Sequence, residues 1–247
     1  MKNWIFLLLA LPLVIFSCRK DNDITTTTGS GYEAPTIIVT ANLAGQIVDL
    51  DGIGIENAMV RLGSEVAVTN DAGLYQFRNI QMNAKGTYVT VTKEGYFLGS
   101  DRFYPANGSR NVNRIQLLPK TLAATITGGQ GGTIEVEGAR IELPANSVVN
   151  PQGQVVTGDV KVYAQWLDPT DDNLGDFMPG GLFGVNEAGK EVTMTSMGML
   201  AVELYEQSGN EIQMAAGQEG RLSYTVPAEL RTISPVTIPP RYISATF

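Results

Sequence analysis

Apolar and polar residues alternate along most of this chain, in short runs cut by Gly, Asn, Asp and Pro. A period of two puts successive side chains on opposite faces of a strand, so these runs read as half-buried strands. The clearest covers residues 158–166, where Val160, Val162, Ala164 and Trp166 take one face and Lys161, Tyr163 and Gln165 the other. Residues 87–93 set Val89 and Val91 against Thr90 and Thr92, and residues 199–206 turn Leu200, Val202 and Leu204 inward. Weaker runs lie at 45–49, 58–62, 65–69, 74–77, 112–118, 133–136, 139–143 and 221–226. Turns are expected at Asp49-Leu50-Asp51-Gly52, Asn70-Asp71-Ala72-Gly73 and Glu137-Gly138, since Gly, Asn and Asp tolerate the positive φ of tight turns. No helical period persists; a single helical turn is expected in the loop 144–150. The predicted fold class is all-β.

The strands fall into two tandem groups. Residues 42–119 hold some seven short strands with frequent turn signals, which argues for a β-sandwich. The glycine-rich segment 120–132 reads as a bridge into a second, sandwich-like β domain over 120–247.

The N-terminus has a different pattern. Lys2 precedes an unbroken apolar run over residues 5–16, too short to cross a bilayer, which takes about 20 apolar residues, but suited to a secretory signal. Ser17 and Cys18 follow, and Cys18 is the only cysteine in the chain. The block 13–18 resembles the lipobox of bacterial lipoproteins. That resemblance implies a signal peptide over 1–17, cleavage before Cys18, and lipidation of Cys18 as the membrane anchor. Acyl chains anchor through about 0.8 kcal/mol per buried methylene. Arg19-Lys20-Asp21-Asn22-Asp23 resembles the short charged surface-export signal of Bacteroidetes lipoproteins, with Lys20, Asp21 and Asp23 as its candidate residues; a solvated spacer is the alternative. The small polar residues that follow, within 18–41, read as a flexible tether.

Charge and composition narrow the function. The net charge is −8, and no basic stripe is visible, which argues against nucleic acid as a partner. The chain has no histidine, which removes Ser-His-Asp and Cys-His catalysis and the usual zinc sites. With Cys18 assigned to lipid, no disulfide remains to stabilise the fold.

Two resemblances cover the rest. Gly45-x-Ile47-Val48-Asp49-x-x-Gly52, Ala58-x-Val60, Thr69-x-Asp71-x-Gly73-x-Tyr75-x-Phe77 and Val89-x-Val91-x-x-x-Gly95-Tyr96 together resemble the carboxypeptidase regulatory-like domain. That implies a transthyretin-like (prealbumin-like) sandwich without catalytic activity. Gly132-Thr133-Ile134, Ile141-x-Leu143-Pro144-Ala145-Asn146-Ser147-Val148, Leu167-Asp168-Pro169, Met178-Pro179-Gly180 and Ser196-Met197-Gly198-Met199-Leu200 resemble the β region of cartilage intermediate layer protein, which implies a structural or interaction module. In that family the chain continues beyond the step at 236–240. Here it ends at Phe247, which reads either as a natural shortening or as a C-terminal truncation.

The densest carboxylate cluster is the loop 168–176. Asp168, Asp171, Asp172 and Asp176 are the candidate calcium ligands, although calcium takes six to eight oxygens and a solvated loop is the commoner use of such a run. An Asp pair there could serve carboxylate-based glycan chemistry, but the pattern shows no aromatic-lined cleft to hold a sugar. Tyr96, Phe97, Phe103 and Tyr104 could stack on sugars and are expected instead to fill the core.

The expected function is therefore a non-catalytic, lipid-anchored envelope protein at the outer membrane, exposed at the cell surface. Its expected partners are the membrane, through the N-terminal lipid, and a glycan or an envelope or extracellular protein. An accessory subunit of a nutrient-uptake or secretion complex is the alternative, and an enzyme comes last.

Overall fold

The computed structural model describes residues 36–186 and 190–236. Cys18, Lys20, Asp21, Asp23 and the C-terminal residues 237–247 lie outside that range.

The fold is all-β. The first half contains β1 (Ile38–Val48), β2 (Met59–Leu62), β3 (Glu65–Val68), β4 (Leu74–Asn83), β5 (Thr87–Thr92), β6 (Gly99–Phe103) and β7 (Arg110–Gln116). They form two sheets, ordered β4-β1-β7 and β3-β2-β5-β6. The inward positions of both sheets meet in one core, in which Leu43, Ile47, Val60, Val89, Val91 and Leu117 are fully buried. β1 runs antiparallel to β4 and parallel to β7, so Gly45 has Tyr75 on one side and Asn113 on the other. The Tyr75 hydroxyl donates to Asn113 Oδ1, and Asn113 Nδ2 donates to Asp101 at 3.2 Å. Burial pushes the Tyr75 phenol well above its ordinary value, against the lowering effect of the Asn113 bond.

The turns follow side-chain chemistry. Asp49 Oδ1 accepts the N–H groups of Asp51 and Ile53 at 3.0 and 2.8 Å, and Asn70 Oδ1 accepts those of Ala72 and Leu74. Both are side chains standing in for backbone acceptors.

The second half contains β8 (Leu122–Thr127), β9 (Gly132–Val136), β10 (Ala139–Leu143), β11 (Val148–Val149), β12 (Asp159–Leu167), β13 (Phe183–Val185), β14 (Glu191–Thr193), β15 (Met199–Glu206), β16 (Glu211–Met214) and β17 (Arg221–Tyr224). They form a five-stranded sheet β11-β16-β15-β12-β8, a three-stranded sheet β17-β10-β9 and the hairpin β13-β14. Ile134, Ile141, Val160, Val162 and Leu204 lie in its buried core.

Two expectations need correction, and the structure adds elements the sequence pattern did not show. The bridge 120–132 contains a full strand, β8, which pairs with β12. β6 was not visible as an alternating run. The loop 144–150 has no helical turn; Ala145-Asn146 turns, with Asn146 at φ 57°, and the chain enters β11. A helical turn occurs instead in the acidic loop, as α1 (Leu174–Phe177).

The two halves are joined by packing and by charge. Phe97 and Leu118 from the first half pack with Leu167, Leu174 and Met178 from the second. Leu174 is the buried residue of α1, so the helical turn exists to place it in this seam. Beside the seam, Arg102 on β6 donates to both carboxylate oxygens of Glu191 on β14, at 3.0 and 2.9 Å. Its guanidinium carbon lies 5.5, 5.1 and 4.9 Å from the ring centroids of Tyr88, Tyr104 and Phe183. The Arg102 side chain is 8% exposed and that of Glu191 33%.

A tryptophan-lined cleft at the junction of the halves

The β9–β10 hairpin turns at Glu137-Gly138, with Gly138 at φ 77°. β17 lies beside β10 in a register that sets Tyr224 opposite Ala139. The end of β12 then arrives at the same place. Its alternation holds through Ala164 and then breaks: Leu167 is buried at 2%, whereas Trp166 is only partly buried. The expectation that Trp166 shares the face of Val160, Val162 and Ala164 thus does not carry it into their core. The physical reason is that β12 leaves the core of the second half and enters the seam, where Leu167 takes the buried place.

Trp166 sits in a cradle made by two glycines. A Cβ added to Gly138 would lie 2.8 Å from indole Cδ1 and Nε1, and one added to Gly198 would lie 2.1 Å from Cη2. Any larger residue at either position would displace the ring. The Tyr224 ring lies 5.3 Å away, inclined by 39°. Trp166 and Phe177 line a cleft of about 480 Å³, together with Leu50 and Leu118 from the first half. Its polar lining is Glu137, Gln165, Asp168, Asp171 and Thr225. That volume falls within the range of small-molecule sites, about 300–1,000 Å³, where apolar walls carry a few placed polar groups.

The carboxylates of the acidic loop divide by role. Asp168 Oδ1 accepts from the backbone N–H and the hydroxyl of Thr170, at 2.8 and 2.7 Å. Those two bonds hold its carboxyl below the ordinary value. Asp171 Oδ1 accepts from the Asn173 N–H at 2.8 Å. Asp176 lies 4.0 Å from Arg114, and Asp172 is exposed outside the cleft lining. Of the four calcium candidates, the fold brings only Asp168 and Asp171 to the cleft. Among the described residues, no three acidic or cysteine side chains converge as a metal-holding group.

The other candidate aromatics have separate places. Phe97 is buried in the seam, Tyr96 and Phe103 pack against the first core, and Tyr104 donates from its hydroxyl to Glu191 at 3.0 Å. Glu137, Gln165 and Trp166 were missed as site residues. They become neighbours only when the hairpin tip meets the end of β12. The one sequence signal was the tryptophan closing the longest alternating run, directly before Leu167-Asp168-Pro169.

No protein-family model matches the chain, and no curated protein matches it. Among solved structures it is similar to the Bacillus anthracis TIE protein, with 12% identity and a TM-score of 0.30 over 76% of this chain; the match spans 46% of that chain, under half its length. It is also similar to a protein of Bacteroides uniformis described as a putative carbohydrate binding protein, with 11% identity and a TM-score of 0.27 over 76% of this chain and 100% of that one. A DUF3823 family protein of Parabacteroides merdae shares 11% identity at a TM-score of 0.26, over 72% of this chain and 91% of that one. Likeness at these scores leaves fold and function to be argued from the molecule itself.

Proposed function

We propose that this chain is a non-catalytic binding protein of the outer membrane, anchored by lipid on Cys18 and exposed at the cell surface. In this reading it takes a glycan in the cleft beside Trp166. The observation that carries the proposal is the setting of Trp166. Two glycines leave room for an indole at the rim of a cavity whose polar lining suits sugar hydroxyls. Aromatic faces give large apolar contact with defined geometry, and the surrounding oxygens give orientation. The position of Cys18 after an apolar run supports the anchor. The exposed turn residue Leu50 and the seam residue Leu118, both from the first half, help to build the cleft, so the two halves act together in it.

Three measurements test it. A glycan panel titrated onto wild type and Trp166→Ala should show binding that the variant loses while its melting curve stays cooperative. A panel with no binder, or equal binding by the variant, would remove the cleft from the proposal. Acyl labelling should vanish in Cys18→Ala, and protease treatment of intact cells should remove the protein.

An accessory role in an envelope complex draws support from a different surface. Met59, Val66 and Val68 are 44, 47 and 57% exposed and lie on the outer face of the β2–β3 edge, where Met59 is paired with Val68. Exposed apolar edges are common docking elements. Co-purification of neighbours that is lost in Val66→Lys would favour this role.

A further inference from the structure

We infer that the cleft selects a sugar carrying a free ammonium group, and rejects acidic sugars. The inference rests on the proposal that the cleft is a glycan site. It adds the charge of the ligand, which follows from the polarity of the lining rather than from its shape.

Three carboxylates, Glu137, Asp168 and Asp171, line the cleft, and no Lys or Arg does. Each has acceptor capacity to spare. Asp168 and Asp171 use Oδ1 for their local turns, and Oδ2 of each accepts no hydrogen bond among the described residues. Glu137 stands exposed at the tip of the β9–β10 hairpin. Gln165 adds an Oε1 that is buried and without a donor. The charged groups of the lining are therefore all anionic acceptors, while the Trp166 indole N–H, the Gln165 amide and the Thr225 hydroxyl are neutral. The three carboxylates are exposed at the mouth of the cleft, and the buried Gln165 Oε1 favours a ligand that brings it a donor.

An ammonium group offers three donors and no acceptor, and its charge is opposite to that of the lining. Its attraction to the face of an indole adds to this, with Trp the strongest of the aromatic partners. Trp166 and Phe177 supply such rings at the same cleft. A uronic acid or sulfated sugar would bring like charge against three carboxylates and lone pairs against unused lone pairs, both unfavourable. A neutral sugar lies between, since its hydroxyls both donate and accept. An amino sugar with a free amine therefore fits best, with its ring on the indole and its ammonium toward the carboxylates.

The test uses the full chain and isothermal titration with glucosamine oligomers, N-acetylglucosamine oligomers of equal length, galacturonic acid oligomers and a lysine-containing peptide. Glucosamine oligomers are expected to bind at least about tenfold more tightly than their acetylated counterparts. That margin should shrink with added salt and fall to near unity in Asp168→Asn/Asp171→Asn, whose melting curve reports that it folds. Equal or tighter binding of the acetylated oligomer would overturn the charge inference and leave the glycan site standing. Binding of the lysine peptide alone would overturn the sugar class. Binding of none would overturn both the inference and the glycan reading beneath it. Tight binding of the galacturonic acid oligomer would reverse the inferred polarity.

Discussion

Arg102 and Glu191, 89 residues apart in sequence, meet in a two-pronged ion pair at 3.0 and 2.9 Å. The arginine is the more deeply enclosed partner, under three aromatic rings. Removing its counter-ion strands a buried cation, so Glu191→Ala should cost more than its own exposure suggests. Breaking a buried pair costs about 3–5 kcal/mol, and the partial exposure of Glu191 puts the expected loss at or below the lower end. Chemical denaturation should show the loss, and limited proteolysis should find new cleavage in the β13–β14 hairpin.

The same pair sets an acid limit. Hydrogen bonding from Arg102 holds the Glu191 carboxyl below its ordinary value of 4.5, against a smaller opposing effect of burial. A carboxyl depressed in the folded state stabilises it above the unfolded value and loses that contribution as pH falls through the folded one. Melting temperatures from neutral pH down to about pH 3 should therefore fall more steeply below about pH 4.5 in wild type than in Glu191→Gln.

Tyr75 sets the opposite limit. Its phenol is raised by burial, so the folded state resists losing that proton. The contribution is fully present below the unfolded value near 10 and is lost as pH rises above it. Spectrophotometric titration should show one tyrosine ionising only with alkaline unfolding, and Tyr75→Phe should abolish it. The variant should also lose about 1 kcal/mol, because Asn113 Oδ1 no longer receives the hydroxyl.

Gly198→Ala places a methyl group where the Trp166 ring stands, at a φ of 153° that side chains rarely adopt. The expected cost is about 1–3 kcal/mol from overpacking and strain, with expulsion of the indole. The chain has two tryptophans, so in a Trp4→Phe background all indole emission comes from Trp166. A red-shifted emission maximum with a retained, lowered melting transition is the expected result. Unchanged emission would mean that the cradle does not hold the ring.

The two cores should respond separately. Leu43→Ala should cost about 2–5 kcal/mol in the first core, and Leu167→Ala, in the seam, should weaken both halves. Calorimetry distinguishes these outcomes by whether one transition or the whole profile moves.

Much of the fold was legible because period-two alternation is a local signal. Val160 and Val162 announced β12, and Asn70 to Gly73 announced a turn. β6 was not legible, because its residues Gly99 to Phe103 pair with β5 without a matching apolar alternation. The cleft was the least legible part. Leu50, Glu137, Trp166 and Thr225 lie on four separate segments, and only sheet pairing and the seam bring them to one cavity. The misplaced Trp166 shows why: alternation assigns a face relative to one core, and β12 serves two.

The parallel pairing of β1 with β7 has a mechanical consequence. The chain enters the first half at Ile38 and leaves it from Gln116, along two neighbouring strands that run the same way, bonded from Asn42 opposite Arg110 to Val48 opposite Gln116. Tension applied between the two ends therefore pulls those strands past each other in opposite directions. The ladder is loaded in shear, with its evenly spaced bonds sharing the force, instead of being peeled open one bond at a time. If Cys18 fixes one end to a membrane and a ligand in the cleft holds the other, the first half is a link that bears tension along its strongest axis.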